Sequence, residues 1–170
     1  MSVLNTDVYS HSEHIFRFAA WSASTAASAY KKCRFSVKIG SKILLDSDLY
    51  DYTKGFKILP KAEQFDELHK KLCYKIIYAS KKNLPEERYK HFSYGIAAKL
   101  LNCYFKSIYL MQFHSALDEN IKSKISVIHP PIDRVLLMSL SKNNNEKIKS
   151  RDKFWKKMAL RGWSKFQEDE

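Results

Sequence analysis

The spacing of apolar residues between positions 93 and 113 constrains the fold more than any other feature of the sequence. Apolar side chains there recur every three or four residues: Ile96, Ala97, Leu100, Leu101, Tyr104, Phe105, Ile108 and Met111. Because a helix that is apolar on most sides must be buried on most sides, this segment predicts the central helix of an all-α bundle. Only 4 glycines and 4 prolines interrupt the 170 residues, which disfavours a β-rich fold with many tight turns.

Other segments share this helical period, and we expect one domain over residues 1–170 with five or six helices around the 93–113 helix. The additional helices are predicted over 12–29, 36–46, 61–79, from about Pro131 to Leu140, and over 151–166. For residues 35–39 a β-strand is the alternative, because apolar and polar residues also alternate there. The predicted connections are 46–60, 80–91, 114–128 and 141–150.

The first predicted helix carries an aromatic residue among small ones. Trp21 follows Phe18 by three positions and lies among alanines that allow another helix to approach closely. Ser10 or Ser12 is expected to cap this helix, with Glu13 in its first turn. We therefore expect Trp21 to be a core residue.

Several classes of site are disfavoured by the spacing of their usual residues. The three cysteines, Cys33, Cys73 and Cys103, are widely spaced and include no C-x-x-C pair, so neither a disulfide framework nor a structural zinc site is expected. The sequence contains no H-x-x-x-H pair, Gly-rich phosphate loop or Gly-x-Ser-x-Gly motif. We predict no metal site and no cofactor. Without a secretion signal or an apolar stretch of about 18 residues, no transmembrane segment and a cytoplasmic location are expected.

The positive charge of the chain is concentrated near its C-terminus. The formal net charge is +12, and residues 142–165 alone hold nine basic and two acidic groups. A positive field of this size attracts polyanions such as DNA and RNA. On a helix, Lys149, Lys153, Lys157 and Arg161 would line one row, and Lys156 and Lys165 would widen it. With Phe154, Trp155 and Trp163 nearby, this row predicts phosphate binding and base stacking, with a solvated amphipathic helix as the alternative.

A second candidate site centres on the segment His129-Pro130-Pro131-Ile132-Asp133-Arg134. Two prolines stiffen the approach to a helix and would fix His129 before it and Asp133 in its first turn. An enzyme hypothesis adds Lys99 as an amine nucleophile, Asp133 to guide proton transfer and Arg134 to contact phosphate. The alternative is a rigid turn in which Asp133 caps backbone amides and His129 packs.

Three stretches together resemble a group of small uncharacterised bacterial proteins, over about residues 14–140. They are Phe16-Arg17-Phe18-Ala19-Ala20-Trp21, Tyr94-Gly95-Ile96-Ala97-Ala98-Lys99 and the 129–134 segment. This resemblance implies a bacterial origin and brings no activity. The chain is also weakly similar to the helix-hairpin-helix DNA glycosylases, because Gly95, Lys99 and Asp133 follow the order of that family's turn glycine, catalytic lysine and catalytic aspartate. The second hairpin glycine is absent, and the Lys99-to-Asp133 gap is longer than in that family.

Three classes of function follow from these features. The first is a nucleic-acid-binding protein that acts through the C-terminal basic helix. The second is a glycosylase- or lyase-like enzyme on nucleic acid or nucleotide, with Lys99, His129, Asp133 and Arg134 in one cleft. The third is a protein-interaction module whose charge is incidental. The sequence does not specify an oligomeric state.

Overall fold

A computed structural model of the chain describes residues 9–112, 119–142 and 149–167, and it confirms the all-α class. Within these ranges the chain forms eight α-helices, connected by short 3-10 turns, and no strand. They are α1 (His11–Ala27), α2 (Val37–Leu45), α3 (Phe65–Asn83), α4 (Glu86–Tyr89), α5 (Tyr94–Gln112), α6 (Glu119–Ser126), α7 (Arg134–Leu140) and α8 (Lys149–Arg161). No helix of the described part is long and apolar enough to cross a membrane.

Helix α5 is the apolar segment on which the sequence prediction rests. Twelve of its 19 residues are buried, and it packs against α1 on one side and α3 on another. The Tyr104 ring is fully buried, and its hydroxyl donates to the Leu49 carbonyl oxygen at 2.9 Å. That hydrogen bond satisfies the polar end of a ring that otherwise contributes apolar area to the core.

Helix α1 buries its small residues and exposes two of its large ones. Ser10 caps it by accepting from the Glu13 amide, and the inward face consists of Ile15, Phe16, Ala19, Ala20, Ala23, Ser24 and Ala27. The prediction that Trp21 is a core residue is wrong, because this side chain is 52% exposed and Phe18 is exposed beside it. The alanine face lets α1 approach α5 closely, and Trp21 therefore projects away from that contact.

The helix predicted over 36–46 is observed as α2 (Val37–Leu45), and the alternative strand at residues 35–39 does not form. Ser36 caps α2 by accepting from the Ile39 amide, and Gly40 faces α1. A Cβ at Gly40 would lie 2.1 Å from Ser24 Oγ, so the approach of α2 to α1 requires glycine there.

Helices α3, α4 and α6 occupy parts of two predicted connections. Helix α3 extends to Asn83, into the predicted 80–91 loop. The single turn α4 then lies entirely within that loop. Helix α6 occupies part of the predicted 114–128 connection. Helix α7 begins later than predicted: Pro131 precedes it, and Asp133 is its N-cap rather than a residue of its first turn. Of the predicted 141–150 loop, positions 143–148 lie outside the described residues.

The C-terminal segment folds back on the start of α5. Helix α8 ends at Arg161. The next residue, Gly162, has a φ of 85°, which suits glycine, and a 3-10 turn follows at Trp163–Lys165. The Gly95 amide donates to the Phe166 carbonyl oxygen at 3.1 Å, and Ser93 Oγ donates to the Ser164 carbonyl oxygen at 2.7 Å. A small apolar cluster of Leu137, Met158, Ala159 and Phe166 joins α7, α8 and this turn.

Candidate nucleic-acid interface and lysine cleft

The basic residues of α8 and its following turn point to solvent wherever their side chains are described. Lys153, Lys157 and Arg161 are four residues apart on α8, so they occupy one row of the helix. Lys156 and Lys165 are exposed as well. Lys149 is the first residue of α8, and its side chain lies outside the described part.

The other side of α8 is docked. Met158 and Ala159 are buried against Leu137 and Phe166, which fixes the helix on α7 and the C-terminal turn. Phe154 is exposed and meets the half-buried Trp155 ring edge-on, with centroids 5.0 Å apart. The helix is therefore amphipathic, and an exposed aromatic ring lies at its basic surface.

The lysines of this surface have no acidic partner among the side chains that the structure describes. Among the side chains that the structure describes, none forms an ion pair with Lys153, Lys156, Lys157 or Lys165. Arg161 has further contacts, including a donation from Nη2 to the Lys165 carbonyl oxygen at 3.3 Å. These four exposed lysines can contact an external anion.

The second candidate site brings Lys99 and Asp133 together. Lys99 Nζ lies 3.5 Å from Asp133 Oδ2, and the lysine side chain is only 8% exposed. Asp133 Oδ1 accepts from the Leu136 amide at 2.8 Å. This backbone hydrogen bond, with a smaller contribution from the Lys99 ammonium, lowers the pKa of the Asp133 carboxyl below its usual range. The Trp163 ring centroid is 5.7 Å from Lys99 Nζ.

This pair lines a cleft of about 450 Å³ between α1, α5 and the segment before α7. Phe18 and Leu110 form apolar walls, and Lys106 and Ser107 add polar groups. The cleft also contains Cys103, whose pKa is raised by burial, so this thiol is a poor nucleophile. Its volume and mixed lining suit a small ligand.

The other two predicted catalytic residues do not line this cleft. His129 lines a neighbouring cleft of about 350 Å³, which shares Lys106 and Pro131 with the first. Its Nε2 donates to Asp66 Oδ1 at 2.8 Å. Arg134 is exposed at the first residue of α7. Lys99 and Asp133 are the two predicted catalytic residues that share a site.

Two groups of residues lie outside the sequence predictions. The first is His69, buried on α3, whose Nε2 lies 2.8 Å from Asn102 Oδ1 and whose ring centroid is 4.4 Å from that of His129. No local pattern signals it, because its partners come from distant segments. The second group consists of lysines and exposed tyrosines on α3. Their spacing in the sequence is helical and would have been enough to place them on one face.

No group of three or more His, Cys, Asp or Glu residues in the described ranges is arranged to hold a metal ion. The three cysteines are buried and unbridged. Comparison with protein-family models, curated proteins and solved structures found no match.

Proposed function

We propose that this protein binds nucleic acid through phosphate contacts from the exposed basic surface of α8 and its following turn. The observation that carries the proposal is the set of four exposed lysines without a described acidic partner: Lys153, Lys156, Lys157 and Lys165. Held on α8 and the turn that follows it, these lysines can contact successive phosphates and release the counterions condensed on them. We further propose that the protein acts in the cytoplasm of a bacterium.

The test measures binding of fluorescently labelled DNA and RNA by fluorescence anisotropy at about 50 mM salt. The C-terminal lysine variant replaces Lys153, Lys156, Lys157 and Lys165 with Gln. The control variant makes the same replacement at Lys31, Lys32, Lys38 and Lys42. These lysines are exposed on the 3-10 turn Lys31–Cys33 and on α2. Both variants lose the same net charge. We expect the C-terminal lysine variant to bind at least about tenfold more weakly than the control variant.

Two outcomes would contradict the proposal. One is the absence of binding to either DNA or RNA by the wild-type protein at low salt. The other is equal weakening of binding in the two variants, because attraction would then follow net charge rather than this surface. The first outcome would favour a protein-interaction role for the chain.

A second candidate function is a lyase-like reaction at Lys99, and the Lys99–Asp133 distance of 3.5 Å in a cleft is the observation that favours it. The Lys99 amine would attack the aldehyde carbon of an abasic site and form an imine with loss of water. The lowered pKa of Asp133 opposes this step, because it makes the carboxylate a weak base for the proton transfers that imine formation requires.

Borohydride distinguishes these roles of Lys99, since it reduces an imine to a stable amine that links protein to DNA. Trapping of abasic DNA by the wild-type protein, and its loss in Lys99→Met, is the result expected of the enzyme. Absence of a trapped species in the wild type would leave Lys99 and Asp133 as a structural ion pair.

A further inference from the structure

The outward face of α3 carries alternating lysines and tyrosines. Lys71, Tyr74, Lys75, Tyr78 and Lys82 are separated by three, one, three and four positions, which places them on one side of a helix. The opposite side of α3 is buried through residues such as Leu72 and Ile76. These five positions are called the α3 Lys/Tyr face below.

The two tyrosines of this face are exposed to solvent. Tyr74 is 48% exposed and Tyr78 is 64% exposed. They are one helical turn apart, which separates them by about 6 Å along the axis. Two broad rings at this spacing offer stacking platforms for two neighbouring planar groups.

Positive charge accompanies these rings. Lys82 Nζ lies 4.5 Å from the Tyr78 ring centroid, and Lys71 is exposed one turn before Lys75. Lys75 is partly neutralised, because its Nζ lies 2.7 Å from Asp48 Oδ2. Lys71 and Lys82 form no described ion pair, so the face combines aromatic surface with cations that a phosphate backbone could contact.

The α3 Lys/Tyr face borders the C-terminal segment. The Tyr74 ring meets the Tyr94 ring edge-on, with centroids 6.0 Å apart. Tyr94 precedes Gly95, whose amide donates to the Phe166 carbonyl oxygen, next to Lys165. Tyr94 therefore contacts Tyr74 of α3 and directly precedes the residue that binds the segment carrying Lys165.

We infer that the nucleic acid bound by this protein is single-stranded and that its bases stack on Tyr74 and Tyr78, an inference that rests on the proposed function. The exposed tyrosine rings are the reason to expect a single strand rather than a duplex. The bases of a duplex are stacked on one another and present edges and phosphates, whereas the bases of a single strand can turn outward onto aromatic side chains. Lysines alone would serve both forms, but exposed tyrosines between the lysines favour the single strand.

The experiment compares single-stranded DNA and RNA with duplexes of the same sequence by fluorescence anisotropy. The stacking variant replaces both Tyr74 and Tyr78 with Ala. We expect it to bind single strands at least about fivefold more weakly for each ring removed and to bind duplex like the wild type. Replacement of both residues with Phe keeps the ring faces and should preserve single-strand affinity. Trp21→Ala removes an exposed ring from α1 and serves as the matched control.

The outcomes separate this inference from the proposed function. If the wild type prefers duplex, or if the stacking variant binds single strands as the wild type does, the inference is overturned while binding through α8 stands. If the C-terminal lysine variant binds like the wild type and the stacking variant is weakened, the assignment to α8 is overturned instead. Binding of neither form by the wild type would contradict both. Urea unfolding of each variant establishes that affinity changes do not arise from unfolding.

Discussion

The imidazole of His69 lies between α3 and α5 with a hydrogen-bond partner on each helix. The Asn102 side-chain amide donates to the Pro130 carbonyl oxygen at 3.3 Å, which leaves Asn102 Oδ1 to accept from His69 Nε2 at 2.8 Å. Cys73 Sγ lies 3.8 Å from His69 Nδ1, and the His129 ring packs against His69. This arrangement suits the neutral imidazole with its proton on Nε2.

Burial lowers the pKa of His69 to about 4, and the neighbouring His129 contributes a smaller effect in the same direction. In the unfolded chain the ordinary pKa is about 6.5. Between these values the unfolded chain binds the extra proton, so stability should fall as pH falls through this window, by roughly 3 kcal/mol in total. Above pH 6.5 and below pH 4, His69 adds no pH dependence.

Urea unfolding between pH 7 and pH 4 measures this effect, with His69→Gln as the comparison. Glutamine can donate to Asn102 from a similar position and does not titrate. We expect its stability to vary less across this range than that of the wild type. Parallel stability profiles for the two proteins would show that His69 is not the residue responsible.

Helix α5 and the C-terminal segment meet at Gly95, where the lack of a side chain allows backbone contact. A Cβ at this position would lie 2.0 Å from the Trp163 carbonyl oxygen and 3.0 Å from Phe166 Cβ. The obstacle is mainly backbone, so a larger residue must displace the C-terminal turn. This contact positions the C-terminal turn, with Lys165, relative to α5.

Gly95→Ala should therefore destabilise the protein, by about 1–3 kcal/mol from overpacking, offset in part by the better helix propensity of alanine. Hydrogen exchange should quicken at residues 163–166, while the centre of α5 stays protected. Unchanged unfolding free energy together with unchanged exchange at these residues would contradict the close approach.

Periodic segments of three or more turns are the elements that the sequence predicts well. Helices α1, α3 and α5 each repeat their apolar residues often enough to define a face. Helix α4 is one turn long and α6 about two, so neither shows a measurable period. For α1 the helix is predicted correctly but Trp21 is placed on the wrong side, because both of its sides carry aromatic residues and packing against α5 decides which is buried.

The sequence also does not predict which residues of the candidate sites come together, because that depends on tertiary contacts. Lys99 and Asp133 are 34 positions apart, and their juxtaposition depends on how the segment before α7 lies on α5. His129 pairs with Asp66 of α3, which no local pattern indicates. The α3 Lys/Tyr face, by contrast, can be read from spacing alone once the buried side of α3 is identified.

Across the whole molecule, charge and exposed aromatic rings occur together on elements that meet at the start of α5. Residues 142–165 supply a net charge of +7 out of +12, and α3 adds lysines interleaved with Tyr74 and Tyr78. The C-terminal turn docks onto Gly95, and the neighbouring Tyr94 ring meets Tyr74 of α3. We propose that nucleic acid is bound by phosphate contacts at this C-terminal surface rather than by attraction to the net charge of the chain.

The salt dependence of binding tests that claim most directly. For single strands, each neutralised phosphate contributes about −0.7 to the slope of log K against log salt concentration. We predict that the C-terminal lysine variant flattens the wild-type slope by about 2–3, while the control variant at Lys31, Lys32, Lys38 and Lys42 changes it by less than about 1. Equal slopes for the wild type and the C-terminal lysine variant would contradict the assignment of phosphate contacts to α8 and its following turn.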